Sequence, residues 1–259
     1  MLTALQRWFA DNILELGREM RLSYLPPLMV YVAAGVSGLT AIVGTFFVKE
    51  YLGFSAAFLA ALGFWAGIPW ALKMPLGHLV DLIWRHKAGL VWLGATLIAA
   101  SLLIMLGLVA SPLRMGELMS LEAWFVLAAL LSPVGYVLQD VVADAMTVEA
   151  VPRVDEHGQP LPPEQRRLMN TTLQTLGRVA IIGGGVAVSL VNVFMFQGVE
   201  NLPKAAKAAV YAEVYGMALV IPAISVAGVL LATLLRRRDA RRLRARGFDE
   251  AAPRTMLQP

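Results

Sequence analysis

No cysteine occurs among the 259 residues, which excludes disulfides, thiol catalysis and thiolate-bound metal. Histidine is scarce as well: His78, His86 and His157 are scattered without ligand spacing, so neither a zinc nor a haem site is expected, and no metal or cofactor is assigned. Charged residues make up only 15% of the chain and hydrophobic residues 58%, against about 25% and 45–50% in ordinary soluble domains, so the composition excludes one soluble domain. There is no nucleophile beside a base. Gly183-Gly184-Gly185 is not a phosphate loop, because neither a preceding strand nor Gly-Lys-Ser/Thr accompanies it. An enzyme is therefore the least supported reading.

Long uncharged runs are plentiful. About 18 or more such residues are needed to cross hydrocarbon as a helix. They occur at Leu25–Val48, Tyr51–Leu72, Ala88–Leu113, Ala123–Gln139, Val179–Val199 and Val214–Leu235. Six transmembrane helices are predicted. The fourth run is short and spans comfortably only if Asp140 and Asp144 lie within its helix; the fifth begins near Met169, which places Arg178 inside.

The basic residues fall asymmetrically about these runs. With a cytoplasmic N-terminus, the inside segments hold Arg7, Arg18, Arg21, Arg85, Lys87, Arg153, Arg166, Arg167 and the tail from Arg236. The outside segments hold only Lys49, Arg114, Lys204 and Lys207. The positive-inside rule then puts both termini in the cytoplasm, and a bacterial inner membrane is the expected location. Arg236-Arg237-Arg238 reads as a topological anchor or a contact to anionic lipid, so the net charge of +4 calls for no nucleic acid. Residues 1–24 form an amphipathic interfacial segment, with Leu2, Leu5, Trp8, Phe9, Ile13 and Leu14 at near-helical spacing. It has acidic residues, no early apolar core and no small-residue cleavage site, and is not read as a removable signal. Residues 25–235 form the six-helix domain and 236–259 a basic tail.

Chemistry concentrates at Gln139-Asp140-Val141-Val142-Ala143-Asp144, where two aspartates four residues apart share one helix face. Carboxylates at membrane depth are costly and signal function by default. Arg178 is the expected partner of Asp140 or Asp144, since the fourth and fifth helices run antiparallel; a purely structural ion pair is an equal reading. Gln139, Asn170 and Gln174 can add neutral hydrogen bonds. Ser132-Pro133-Val134-Gly135 is a weak point beside the acids. Gly63 and Gly67 have the GxxxG spacing of generic helix packing, and Pro69 and Pro75 soften the second helix near its end.

Gly77-His78-Leu79-Val80-Asp81, followed by Arg85 and Lys87, resembles the loop signature between helices two and three of the major facilitator superfamily, with Trp84 where a second glycine is usual. The same basic residues also serve as positive-inside charges. Asp140-Val141-Val142-Ala143-Asp144-Ala145-Met146-Thr147-Val148-Glu149 resembles the fourth-helix motif of its folate-biopterin transporter family. Lys73-Met74-Pro75-Leu76-Gly77 before it, and Leu173-Gln174 with Arg178 after it, extend the likeness over helices two to five.

The resemblance implies an all-α membrane fold: the N-terminal six-helix half of a twelve-helix transporter, built of two inverted three-helix repeats. It implies a half-size or split secondary transporter for a folate- or pterin-like solute, coupled to protons, working as a homodimer or with a complementary half. Asp140 and Asp144 then carry the proton or bind a cationic group, and Arg178 adjusts their proton affinity or binds a substrate carboxylate. Gly77, Asp81, Arg85 and Lys87 lock one conformation. The alternative is a non-transporting membrane assembly subunit, or a truncated remnant of a transporter.

Overall fold

A computed structural model describes residues 20–83, 86–153 and 159–245, with side chains through Arg241. The interfacial segment proposed for residues 1–24 thus lies almost wholly outside the described residues, as do Arg85 and the end of the tail. The described residues form helices and no strand. Six helical spans are long and apolar enough to cross a membrane: Leu22–Leu52, Ala56–Leu82, Lys87–Ala110, Leu121–Ala150, Pro163–Asn201 and Lys204–Arg241. The chain is an integral membrane protein.

Local chemistry explains most boundaries. Ser55 and Ser120 cap the second and fourth spans, each side-chain oxygen accepting from the backbone amide three residues on. Pro26 and Pro27 sit in the first helical turn, where no intrahelical donor is lost. The second span breaks at Leu72, between helices Ala56–Ala71 and Lys73–Leu82. Pro69 and Pro75 flank that break, and Pro75 falls in the first turn of the new helix, where a missing N–H costs nothing. The hinge leaves Lys73 as the first residue of the second segment.

Two expectations shift. Pro133 bends no helix out of register, since Leu121–Ala150 runs through it; in the turn before it, the Ala128 carbonyl also accepts from Ser101 of the third span at 2.7 Å. The sixth span starts at Lys204 rather than Val214, because the alanine-rich stretch Lys204–Ala218 is helical despite Lys204, Lys207 and Glu213. At the other end its helix runs on to Ala245, so the first basic tail residues are helical.

The principal contacts join the third span to the fourth and the sixth to the first, the second to the fourth and the fifth to the first, and the first to the fourth and third to the sixth. Exchanging each of the first three spans with the one three places later maps this set onto itself. Glycines mark the closest approaches. A Cβ on Gly94 would lie 2.6 Å from the Gly135 carbonyl oxygen, and one on Gly228 2.9 Å from that of Pro26, so the third–fourth and sixth–first crossings both need a missing side chain. Gly35 and Gly184 make a third such crossing, between the first and fifth spans.

The second and fifth spans lie outermost. No residue of Ala56–Ala71 is buried, and a Cβ on Gly63 or Gly67 would meet nothing within 4 Å. Within this chain those two glycines do not pack a helix, contrary to the expectation. We therefore predict that Gly135→Ala costs about 1–3 kcal/mol by overpacking, whereas Gly63→Ala stays within about 0.5 kcal/mol of wild type. Thermal unfolding of the two purified variants in detergent checks the contrast.

Candidate functional site

Asp140 and Asp144 occupy consecutive turns of the fourth span, and the helix directs both toward the hinge of the second. Lys73 Nζ lies 2.5 Å from Asp140 Oδ2 and 3.0 Å from Asp144 Oδ2. Tyr31 of the first span donates its hydroxyl to Asp144 Oδ1 at 2.7 Å. Tyr31 reaches that place because Gly177 of the fifth span leaves room: a Cβ there would come within 2.8 Å of the ring. Three spans thus contribute polar groups to one cluster, and a fourth leaves room for it.

The cluster joins two carboxylates, one ammonium and one neutral hydroxyl, so its contacts leave one negative charge uncompensated. It is also open. Side-chain exposure is 14% for Asp140, 39% for Lys73 and 51% for Asp144. Held in hydrocarbon, such groups would cost several kcal/mol per ion, on the order of what unfolds a domain, so the open side must meet water or another polar surface. Chemically the arrangement can take up a proton or a cationic group at Asp144 while Lys73 keeps both acids in register.

The expected Arg178 pair is not the one found. Arg178 is exposed, makes no ion pair with a described residue, and stands only within electrostatic range of the Tyr31 hydroxyl. The reason is packing: the fifth span lies mainly against the first, and Tyr31 fills the space between it and Asp144. Gln139 is not in the cluster either. It is 2% exposed, accepts from Ser225 Oγ at 2.9 Å and sits 3.5 Å from the Val91 carbonyl oxygen, joining the third, fourth and sixth spans. One residue from Asp140 is about 100° around a helix, enough to face the core. Asn170 and Gln174 line a separate cavity of about 410 Å³ with Arg166 and Arg167, near the start of the fifth span.

Sequence reasoning missed Lys73 and Tyr31 as site residues. The signal for Lys73 was a lone lysine at the end of an uncharged run and next to a proline-flanked hinge; Tyr31 carried none beyond being polar in an apolar helix.

At the same end of the bundle, a Cβ on Gly77 would come no nearer than 4.0 Å to Val141, and Asp81 is exposed without an ion pair to a described residue. Lys87 is only 4% exposed and pairs with Glu149 of the fourth span, whose second carboxylate oxygen takes Arg236 of the sixth. Arg236 is therefore more than an anchor: it helps tie three spans at their ends. Among the described residues no group of three or more carboxylates and imidazoles is placed to hold a metal ion.

The chain is 30% identical over 155 residues to the folate-biopterin transporter of Synechocystis. The match covers 58% of this chain and spans 29% of the length of that curated relative. No family model matches the chain, and no solved structure matches it.

Removing one partner of a buried pair strands the other charge, which costs about 3–5 kcal/mol. Glu149→Gln should accordingly lower the melting temperature markedly, and Lys87→Met combined with Glu149→Gln should recover a large part of the loss. Thermal unfolding of the single and double variants reads this out.

Proposed function

We propose that this chain is a six-span unit of a secondary transporter, related to the folate-biopterin transporters of the major facilitator superfamily, that moves a folate- or pterin-like solute in exchange for proton movement. The carrying observation is the Lys73-Asp140-Asp144 cluster: two acids on one ammonium, with Asp144 half-exposed and one formal negative charge left over. Protonation or a cationic group at Asp144 relaxes its hold on Lys73 and Tyr31, and with it the contact between the hinge of the second span and the fourth. That gives a proton a lever on the bundle. The relative's name supplies the solute class.

Swapping spans one to three with four to six preserves the main contacts, and consecutive spans cross the membrane in opposite directions. This supports two inverted three-helix repeats, the half-unit of a transporter that rocks against a second half. The second half is another copy of this chain or a complementary six-helix chain. The outer faces of the second and fifth spans, with Phe64 and Trp65 on one and Ile182 and Val186 on the other, are exposed and apolar enough to receive it. Both termini lie in the cytoplasm and the bilayer is a bacterial inner membrane, from the distribution of basic residues. Residues 25–235 make the transport unit, flanked by an interfacial segment and a basic tail. Those same open faces also favour the second reading, an assembly subunit that transports nothing.

Proteoliposomes holding the purified chain and an imposed proton gradient separate the two. Gradient-dependent uptake of radiolabelled folate or biopterin is expected, falling at least tenfold in Asp144→Asn. Uptake that is unchanged in Asp144→Asn removes the coupling role, and no uptake with any partner half returns the assembly reading.

A further inference from the structure

Gln139 precedes Asp140 in the chain but is turned into the junction of the third, fourth and sixth spans, where it is 2% exposed. Its stem runs beside the gap that Gly94 leaves: a Cβ on that glycine would lie 2.9 Å from Gln139 Cγ. Beyond the gap its amide oxygen accepts from the hydroxyl of Ser225, a residue 0% exposed, at 2.9 Å. The core that these three spans share is otherwise apolar, with Val91, Val137, Val142 and Val229 in one buried cluster.

Such a core does not need a hydrogen bond for its stability, since two apolar side chains of matching shape can replace a buried polar pair at little cost. What the pair adds is direction. The fourth and sixth spans are not principal neighbours, so the bond reaches across a space that backbone packing does not close. Valine surfaces and the Gly94–Gly135 crossing set how near the helices come, and a small rotation changes them little. A hydrogen bond weakens steeply with misalignment, so it also sets rotation. The other tie between these spans, Glu149 with Arg236, lies ten positions on, about 15 Å along the helix. The Arg236 side chain is long and 51% exposed, and can follow a turn of its partner.

Rotation of the fourth span is what the acidic cluster depends on. Side-chain ends lie about 5–6 Å from a helix axis, so a turn of about 20° carries a carboxylate through about 2 Å. Lys73 Nζ stands only 2.5 Å from Asp140 Oδ2 and 3.0 Å from Asp144 Oδ2, and such a turn parts it from at least one of them. We propose that Gln139, through its hydrogen bond with Ser225, is a positioning residue that holds the fourth span at the rotation aiming both acids at Lys73. Its part in coupling rests on the transport reading; its part in aiming the acids rests on this geometry alone.

The test reads the ion cluster directly. The full chain, carrying ¹⁵N-lysine and ¹³C-aspartate in proteoliposomes, is expected to show a through-space solid-state NMR cross-peak between lysine Nζ and aspartate Cγ. Lys73→Arg, which keeps the charge and loses the label, assigns that peak by removing it. Gln139→Leu combined with Ser225→Ala takes away both partners and should leave the melting temperature within about 4 °C of wild type, yet at least halve the peak. Ser225→Ala alone, which alters neither the fourth span nor the cluster, should weaken the same peak. Val142→Ala thins the same core without touching the pair, and should lower the melting temperature and keep the peak. An undiminished peak in both Ser225 variants overturns the positioning role. A peak lost equally in Val142→Ala also overturns it, because packing then sets the rotation. Uptake by the double variant should fall at least fivefold; a diminished peak with unchanged uptake overturns the coupling role of the cluster and leaves the positioning role standing.

Discussion

One ammonium shared between two carboxylates in successive turns of a membrane helix sets the terms for the rest of this structure. Asp140, the least exposed of the three, depends on Lys73 for its counter-charge, while Lys73 and Asp144 keep access to the open side. The surroundings follow from that constraint. The hinge at Leu72 puts the lysine at a helix start, the absent side chain of Gly177 admits Tyr31, and the open side of Asp144 demands water. The leftover negative charge is what turns a structural ion cluster into a site that can hold a further positive group.

Around the cluster, stability and mobility are divided between different spans. The third and fourth, and the sixth and first, cross through glycines so closely that a methyl group would collide with backbone or buried side chain. Their cores are filled by buried residues such as Ile98, Leu108, Val142 and Ile221. The second and fifth spans lean on this frame and bury little of themselves. The Glu149 carboxylate, taking both Lys87 and Arg236, ties the third, fourth and sixth spans at the acidic end. In the proposed transporter, movement that starts at the cluster would pass into the second and fifth spans, whose neighbours resist it least.

The spans themselves were legible in the sequence because hydrocarbon demands unbroken apolar length, and the two aspartates because a four-residue spacing fixes a shared face. What failed was pairing across helices. Antiparallel order made Arg178 the natural partner, but the fifth span packs on the first, and which helices touch is decided by glycine crossings that the charges themselves do not reveal. Gln139 was assigned to the site by adjacency along the chain, while the helix turned it into the core beside Ser225. The start of the sixth span was misplaced because an uncharged window stops at Glu213, whereas alanine-rich helix runs back to Lys204.

The most direct measurement of the central claim, that the acidic face meets water within the membrane, is the reaction of Asp144→Cys with charged methanethiosulfonates in proteoliposomes. The account predicts fast modification by reagents of both signs, because the thiol still meets water while Lys73 and Asp140 neutralise each other beside it. Leu103→Cys, exposed on the third span with no polar neighbour in the cluster, should be far less reactive with both. Reactivity of Asp144→Cys as low as that of Leu103→Cys would contradict the account, since the acids would then face lipid rather than a polar path.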